Sequence, residues 1–211
     1  MPTLGWEGRH WRVLGDIHWS HGDTAQAAAA FEAGRTEAEQ HQSAGERALL
    51  QVRLAQTFAF ADPARTDDEL AFAHQLLDGL DQRANTLRAH IAALIRDAGA
   101  ADVTDRAHSL RTGIDTSGLP YLHRFVELAL AFHRAVCNDA GGLAATVGRL
   151  HELTDDTGDF SHFIDIAHFM ADLPLPSPTA TRWIDGNETV RNRWRHLVTT
   201  RQALLEGERN S

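Results

Sequence analysis

The chain is short of cysteine, of basic charge and of long apolar runs, and each shortage excludes something. Cys137 is the only cysteine among 211 residues. One thiol rules out an internal disulfide and a multi-cysteine zinc site, and it fits a reducing compartment. No apolar stretch approaches the roughly 20 residues a membrane-spanning helix needs. Met1 to Trp11 has no apolar run behind a basic start, so no secretory signal is expected. Lys and Arg number 20 against 29 Asp and Glu, a net charge of −9. An acidic chain repels phosphate backbones, which disfavours nucleic-acid binding by general electrostatics. The densest basic group, Arg191, Arg193, Arg195 and Arg201, is spaced so that its first three members wrap around a helix and read as solvated surface. These absences together point to a soluble cytoplasmic protein.

What is present is helix. Apolar residues make up 43% and charged residues 23%, an ordinary globular balance. Alanine and leucine are abundant, β-branched runs are absent, and no segment alternates apolar and polar residues as a half-buried strand would. Breaks are expected at Gly22-Asp23, Ala44-Gly45, Asp62-Pro63, Gly99, Ser117-Gly118-Leu119-Pro120, Gly141-Gly142 and Gly158-Asp159. They leave about ten helices joined by short turns. Leu173-Pro174-Leu175-Pro176-Ser177-Pro178 cannot be helical, because each proline removes a donor and restricts the residue before it. The organisation read from this is a helical array over 1–172, a Pro-rich connection over 173–185 and a C-terminal helix with its tail over 186–211.

A period runs through the array. Trp11-x-x-Leu14-Gly15-x-x-His18 is followed by similar columns at Gln51, Leu54, Ala55 and Phe58, then at Arg88, Ile91, Ala92 and Ile95. It recurs at Phe125, Leu128, Ala129 and Phe132, and again at Phe163, Ile166, Ala167 and Met170. The large-then-small pair returns about every 37–40 residues, the period of a helical-hairpin repeat. The large side chain would fill the seam between two helices, and the small one would let the neighbour approach.

Trp11, Leu14, Gly15, Gly22, Ala27 and Phe31 fall at the spacing of the tetratricopeptide signature, with Asp23 where the second helix of a repeat starts. The chain thus resembles the tetratricopeptide-repeat (TPR) family over about residues 8–172. Its long repeats resemble the degenerate arrays of bacterial signal-transduction ATPases and maltose-regulator-type activators. His18 stands where the family has Tyr, Gly34 replaces a common Ala, and Glu39 a closing Pro. The resemblance implies an all-α, right-handed α-α superhelix of about five helical hairpins, closed by a C-terminal capping helix. It also implies a concave groove lined by first helices. In that register the groove residues are Arg12, Asp16, Trp19, Gln56, Phe60 and Arg96, continuing with His123, His133, Arg134 and His168.

Such a groove suits an extended or helical peptide, its arginines pairing with carboxylates. The function expected is a protein-binding scaffold or sensor module in signal transduction, with no cofactor. The groove could instead be filled by the chain itself. The C-terminal helix, with Val190, Trp194, Leu197, Val198, Leu204 and Leu205 on one side, reads as a cap and also as a surface for homodimerisation. An alternative function is a small-molecule- or metal-binding helical protein, a possible enzyme, using His123, His133 and His168. His18 and His21, an i, i+3 pair with carboxylates nearby, could ligate zinc, but His18 stands in the packing column and reads as a buried histidine. His162, Asp165 and His168 are three apart on a drifting face, and no His-Glu-x-x-His motif, nucleophile elbow, phosphate loop or dinucleotide fingerprint occurs. Cys137, on an apolar stripe behind Phe132 and Val136, reads as buried filler.

Overall fold

The computed structural model describes residues 8–155, 161–174 and 188–210. Among them are ten α-helices, one short 3-10 turn at Pro120–Leu122 and no strand. The break expected at Gly158-Asp159 and most of the Pro-rich connection lie outside the described residues. No described helix is long and apolar enough to cross a membrane.

The helix ends follow local chemistry. The helix α1 (Arg9–Ser20) stops where Gly22 takes φ 68°, a left-handed conformation that glycine adopts without strain. The Asp23 carboxylate then accepts the Gln26 amide at 3.2 Å and starts α2 (Thr24–Gln40). After α3 (Ala44–Ala61), Asp62 caps α4 (Pro63–Leu77) in the same way, with Pro63 in the first turn, where its missing donor costs nothing. A turn at 78–82, which the sequence reading lacked, separates α4 from α5 (Arg83–Arg96). Next come α6 (Val103–Ser117), closed by Gly118 at φ 67°, and α7 (His123–Val136). Gly141-Gly142 is not a break. Both glycines lie in the first turn of α8 (Ala140–Asp155), where the Asp139 carboxylate accepts the Gly142 amide at 2.9 Å. The last helices are α9 (His162–Met170) and α10 (Glu188–Arg209).

The chain divides into two compact units, Met1–Arg96 and Asp97–Ser211, a boundary inside the stretch read from the sequence as one array. In the first unit, α2 packs on α1 and α3, and α3 also packs on α4 and α5. In the second, α7 is the hub, packing on α6, α8, α9 and α10, while α9 also packs on α8 and α10. The hub helices are buried almost all round: Gln51 to Thr57 in α3, and Arg124 to Phe132 in α7.

The recurring pair sits in the core four times. Leu54-Ala55, Ile91-Ala92, Leu128-Ala129 and Ile166-Ala167 are all buried, each large member contributing about 1.5–3 kcal/mol by leaving water. At Gly15 the small member has the purpose read from the sequence. A Cβ there would stand 2.4 Å from the Phe31 ring, so only glycine lets α2 come this close to α1. Gly34 answers it from α2, where a Cβ would lie 2.8 Å from the Trp11 Cβ. Leu14 breaks the pattern: it is 39% exposed, beside Val13 at 55% and Ile17 at 37%.

Candidate functional site

All 20 basic residues of the chain are arginine. A guanidinium is more weakly hydrated than an ammonium and offers five donors in a planar fork, so it suits burial in a network. Each unit holds one such network, and four of the residues expected to line a groove fall into the first of them.

In the first unit the centre is Arg53, buried on α3. Its Nε donates to Asp16 Oδ1 at 2.9 Å, its Nη2 reaches the same oxygen, and its Nη1 donates to Gln56 Oε1 at 2.9 Å. The guanidinium lies 5.6 Å from the Trp19 ring and 5.8 Å from that of Phe31, close enough for cation–π attraction. Phe60 packs on Trp19 with ring centroids 6.0 Å apart. Asp16, Trp19, Gln56 and Phe60, four residues placed in the groove by register, are therefore brought together. Trp19, Gln56 and Phe60 are buried and do not face an open groove. The reason is the hub position of α3, which leaves it no free face. Arg12 is half-buried and donates to Glu46 Oε1 at 2.8 Å. Arg96 pairs with Asp67 on α4.

In the second unit the hub carries Glu127, 1% exposed. Arg111 on α6 pairs with its Oε1, and Arg149 on α8 approaches the same oxygen at 3.2 Å. Arg53 and Glu127 stand one residue before the large member of the recurring pair, as does the buried Asp165. The position before that pair thus carries a buried charge at three of its five occurrences. This position was missed in the sequence. Its signal was there, an Arg or Glu inside an otherwise apolar helix in a chain without lysine.

The histidines have separate partners. His123 Nε2 lies 2.7 Å from Asp115 Oδ1. His168 Nδ1 donates to the Pro174 carbonyl at 2.7 Å, and burial, the largest influence, holds its pKa below the ordinary value. The Gly99 amide donates to His133 Nδ1 at 3.1 Å, which fixes the neutral tautomer with its proton on Nε2. Burial first, and then Arg134, lower the pKa of His133. Arg134 itself turns toward the start of α8, donating to the Gly142 carbonyl and the Thr146 hydroxyl. Among the described residues no group of three or more His, Cys, Asp or Glu side chains converges to hold a metal ion. Cys137 is exposed, contrary to its reading as filler, because α7 ends at Val136 and the apolar stripe ends with it. Its Sγ lies 3.9 Å from His133 Nε2, and partial desolvation raises the pKa of the thiol. A thiol of that kind is not an activated nucleophile.

No protein-family model, curated protein or solved structure matches the chain.

The His133 geometry carries a pH dependence. Protonating Nδ1 breaks the Gly99 contact, so the folded state resists the proton more than the unfolded chain does. With the folded pKa below the ordinary 6.5, the unfolded chain binds more protons. The contribution is complete above about pH 6.5 and is lost as pH falls through the lower, folded value. The urea midpoint should drop between pH 7.5 and 5.5. His133→Asn, whose Oδ1 can replace Nδ1 as acceptor without titrating, should flatten that drop. An equal drop in both proteins would assign the pH dependence elsewhere.

Besides these networks, a cavity of about 310 Å³ opens in the second unit among the ends of α7 and α9, the start of α8 and the middle of α10.

Proposed function

We propose that the chain is a TPR-like helical-repeat module whose task is to hold a segment of another protein. The right-handed superhelix with a concave groove, read from the register, belongs to this proposal, as do a signalling role and a cytoplasmic setting. The observation that carries it is the bare face of α1. Val13, Leu14 and Ile17 are 55%, 39% and 37% exposed, and their i, i+3 and i+4 spacing puts them on one stripe. In the later repeats the residue equivalent to Leu14 is buried. A helix of this register is built to have a neighbour on that face, and isolated exposed aliphatics, unlike a stripe, need no such explanation.

The binding surface supported best is therefore the open α1 face rather than Trp19, Gln56 and Phe60, which the chain already buries. The partner that fits is an amphipathic helix, laying its apolar stripe on Val13, Leu14 and Ile17. A second copy of the chain is the other occupant to be separated by experiment. Leu14→Glu with Ile17→Glu should leave the chain folded at a cost of about 1–3 kcal/mol, since the two side chains are only 39% and 37% exposed, and circular dichroism checks that it does. A photo-crosslinker at Val13 should capture one defined partner in cells, and the paired glutamates should abolish that capture. Crosslinks that survive the glutamates unchanged would count against the α1 face. Sedimentation of the purified chain tells self-association from a different partner.

A further inference from the structure

The cavity in the second unit has a chemistry of its own, independent of the α1 face. Its floor is apolar, made by Leu143, Met170 and Val198. Its rim is charged and balanced, with Arg134 and Arg195 against Asp139 and Asp172. At about 310 Å³ it lies at the small end of ligand pockets and has room for about ten non-hydrogen atoms, taking one water as about 30 Å³.

The rim ion pair is loose. Arg195 Nη2 stands 3.4 Å from Asp172 Oδ2, and Asp172 Oδ1 is 3.5 Å from Arg191. The Arg191 contact is a hydrogen bond at its outer limit, and the Arg195 contact is longer than the usual N–H···O bond. Among the described residues, Arg195 and Asp172 thus line the cavity with donors and lone pairs to spare, 44% and 57% exposed in their side chains. A matched positive and negative group beside an apolar floor suits one ligand class. A dianion or a phosphate would meet two carboxylates. A purely apolar molecule would strip water from the rim charges and offer them nothing in return. A zwitterion satisfies both charges at once.

We infer that this cavity binds a free α-amino acid with a medium aliphatic side chain. Its carboxylate sits on Arg195 in the bidentate manner of guanidinium–carboxylate pairs. Its ammonium sits on Asp172, and its side chain lies on Leu143, Met170 and Val198.

The test is calorimetric titration of the whole chain with L-leucine and L-methionine, with 4-methylpentanoate and isoamylamine as ligands lacking one of the two charges. Saturable binding of at least one amino acid is expected, with both single-charge analogues at least tenfold weaker. Arg195→Gln and Asp172→Asn should each weaken binding tenfold or more. Thr199→Trp, at an exposed lining position, should block it by filling the mouth. Circular dichroism and Tm confirm that each variant is folded, and the three positions are exposed enough for that. No saturable heat with either amino acid up to 10-millimolar-scale concentrations, on the order of the weakest useful affinities, overturns the inference. Binding of the carboxylate alone at equal strength, or binding untouched by Thr199→Trp, overturns it too.

Discussion

Trp194→Ala is expected to cost about 3–5 kcal/mol, the usual range for removing a large buried aromatic. Trp194 is completely buried on α10, and α10 packs on the hub helix α7 and on α9. Against a total stability of about 5–15 kcal/mol for an ordinary domain, the loss is large. Thermal unfolding should move down by on the order of 10 °C. The damage should also be local. Hydrogen exchange should show amides of α7, α9 and α10 losing protection while α1 to α5 keep theirs. Trp194→Phe, which retains part of the ring, should lose less. A cost below about 1 kcal/mol would mean that α10 is a detachable cover rather than part of the core.

The same reasoning changes what a deletion of α10 can teach. Truncation before α10 would test homodimerisation only if the helix were dispensable to the second unit. Val190, Trp194, Leu197, Val198 and Arg201 are all buried, and the Gln202 amide donates to the Ala135 carbonyl at the end of α7 at 3.0 Å. Leu205 closes against Gly99, where a Cβ would lie 2.3 Å from its Cδ1. Removing these contacts should unfold the unit and expose its core, and the resulting association would be aggregation. Point changes at Leu204, which is 46% exposed, test the dimer surface without that confusion.

The parts of the fold that were legible in the sequence are those set by local chemistry. Asp23 and Asp62 announce helix starts because a short acidic side chain satisfies orphan amides wherever it stands. Gly22 and Gly118 announce helix ends because few other residues tolerate their φ. The all-α class follows from the same signals, and the buried pairs at Leu54, Ile91, Leu128 and Ile166 follow from periodicity. The candidate site was less legible, because periodicity says which residues share a face and not what covers that face. Trp19, Gln56 and Phe60 share one, and the chain itself covers it. Cys137 shows a finer limit: one residue past Val136 the helix ends, and a position on the stripe becomes exposed. Leu14 shows the converse. Its column predicts burial, and the side chain is 39% exposed.

Arg53 decides whether its network serves the chain or something outside it. The guanidinium bonds Asp16 and Gln56 and lies near the Trp19 and Phe31 rings. Arg53→Ala strips Gln56 of its buried partner, leaves Asp16 without its cation and opens a hole beside the two rings. Breaking a buried pair and leaving a cavity each cost several kcal/mol, so a combined loss of about 3–5 kcal/mol is expected. Arg53→Met fills the hole but still leaves the Gln56 oxygen unpaired, which alone costs about 1–3 kcal/mol. Asp16 suffers less in either variant, since its side chain is 32% exposed and water can take the place of the arginine. The order expected in urea unfolding is therefore wild type, then Met, then Ala. A double-mutant cycle of Asp16→Ala with Arg53→Met should recover a coupling above the 0.2–1 kcal/mol typical of exposed ion pairs. Equal midpoints for all three proteins would show that the folded chain does not need this guanidinium.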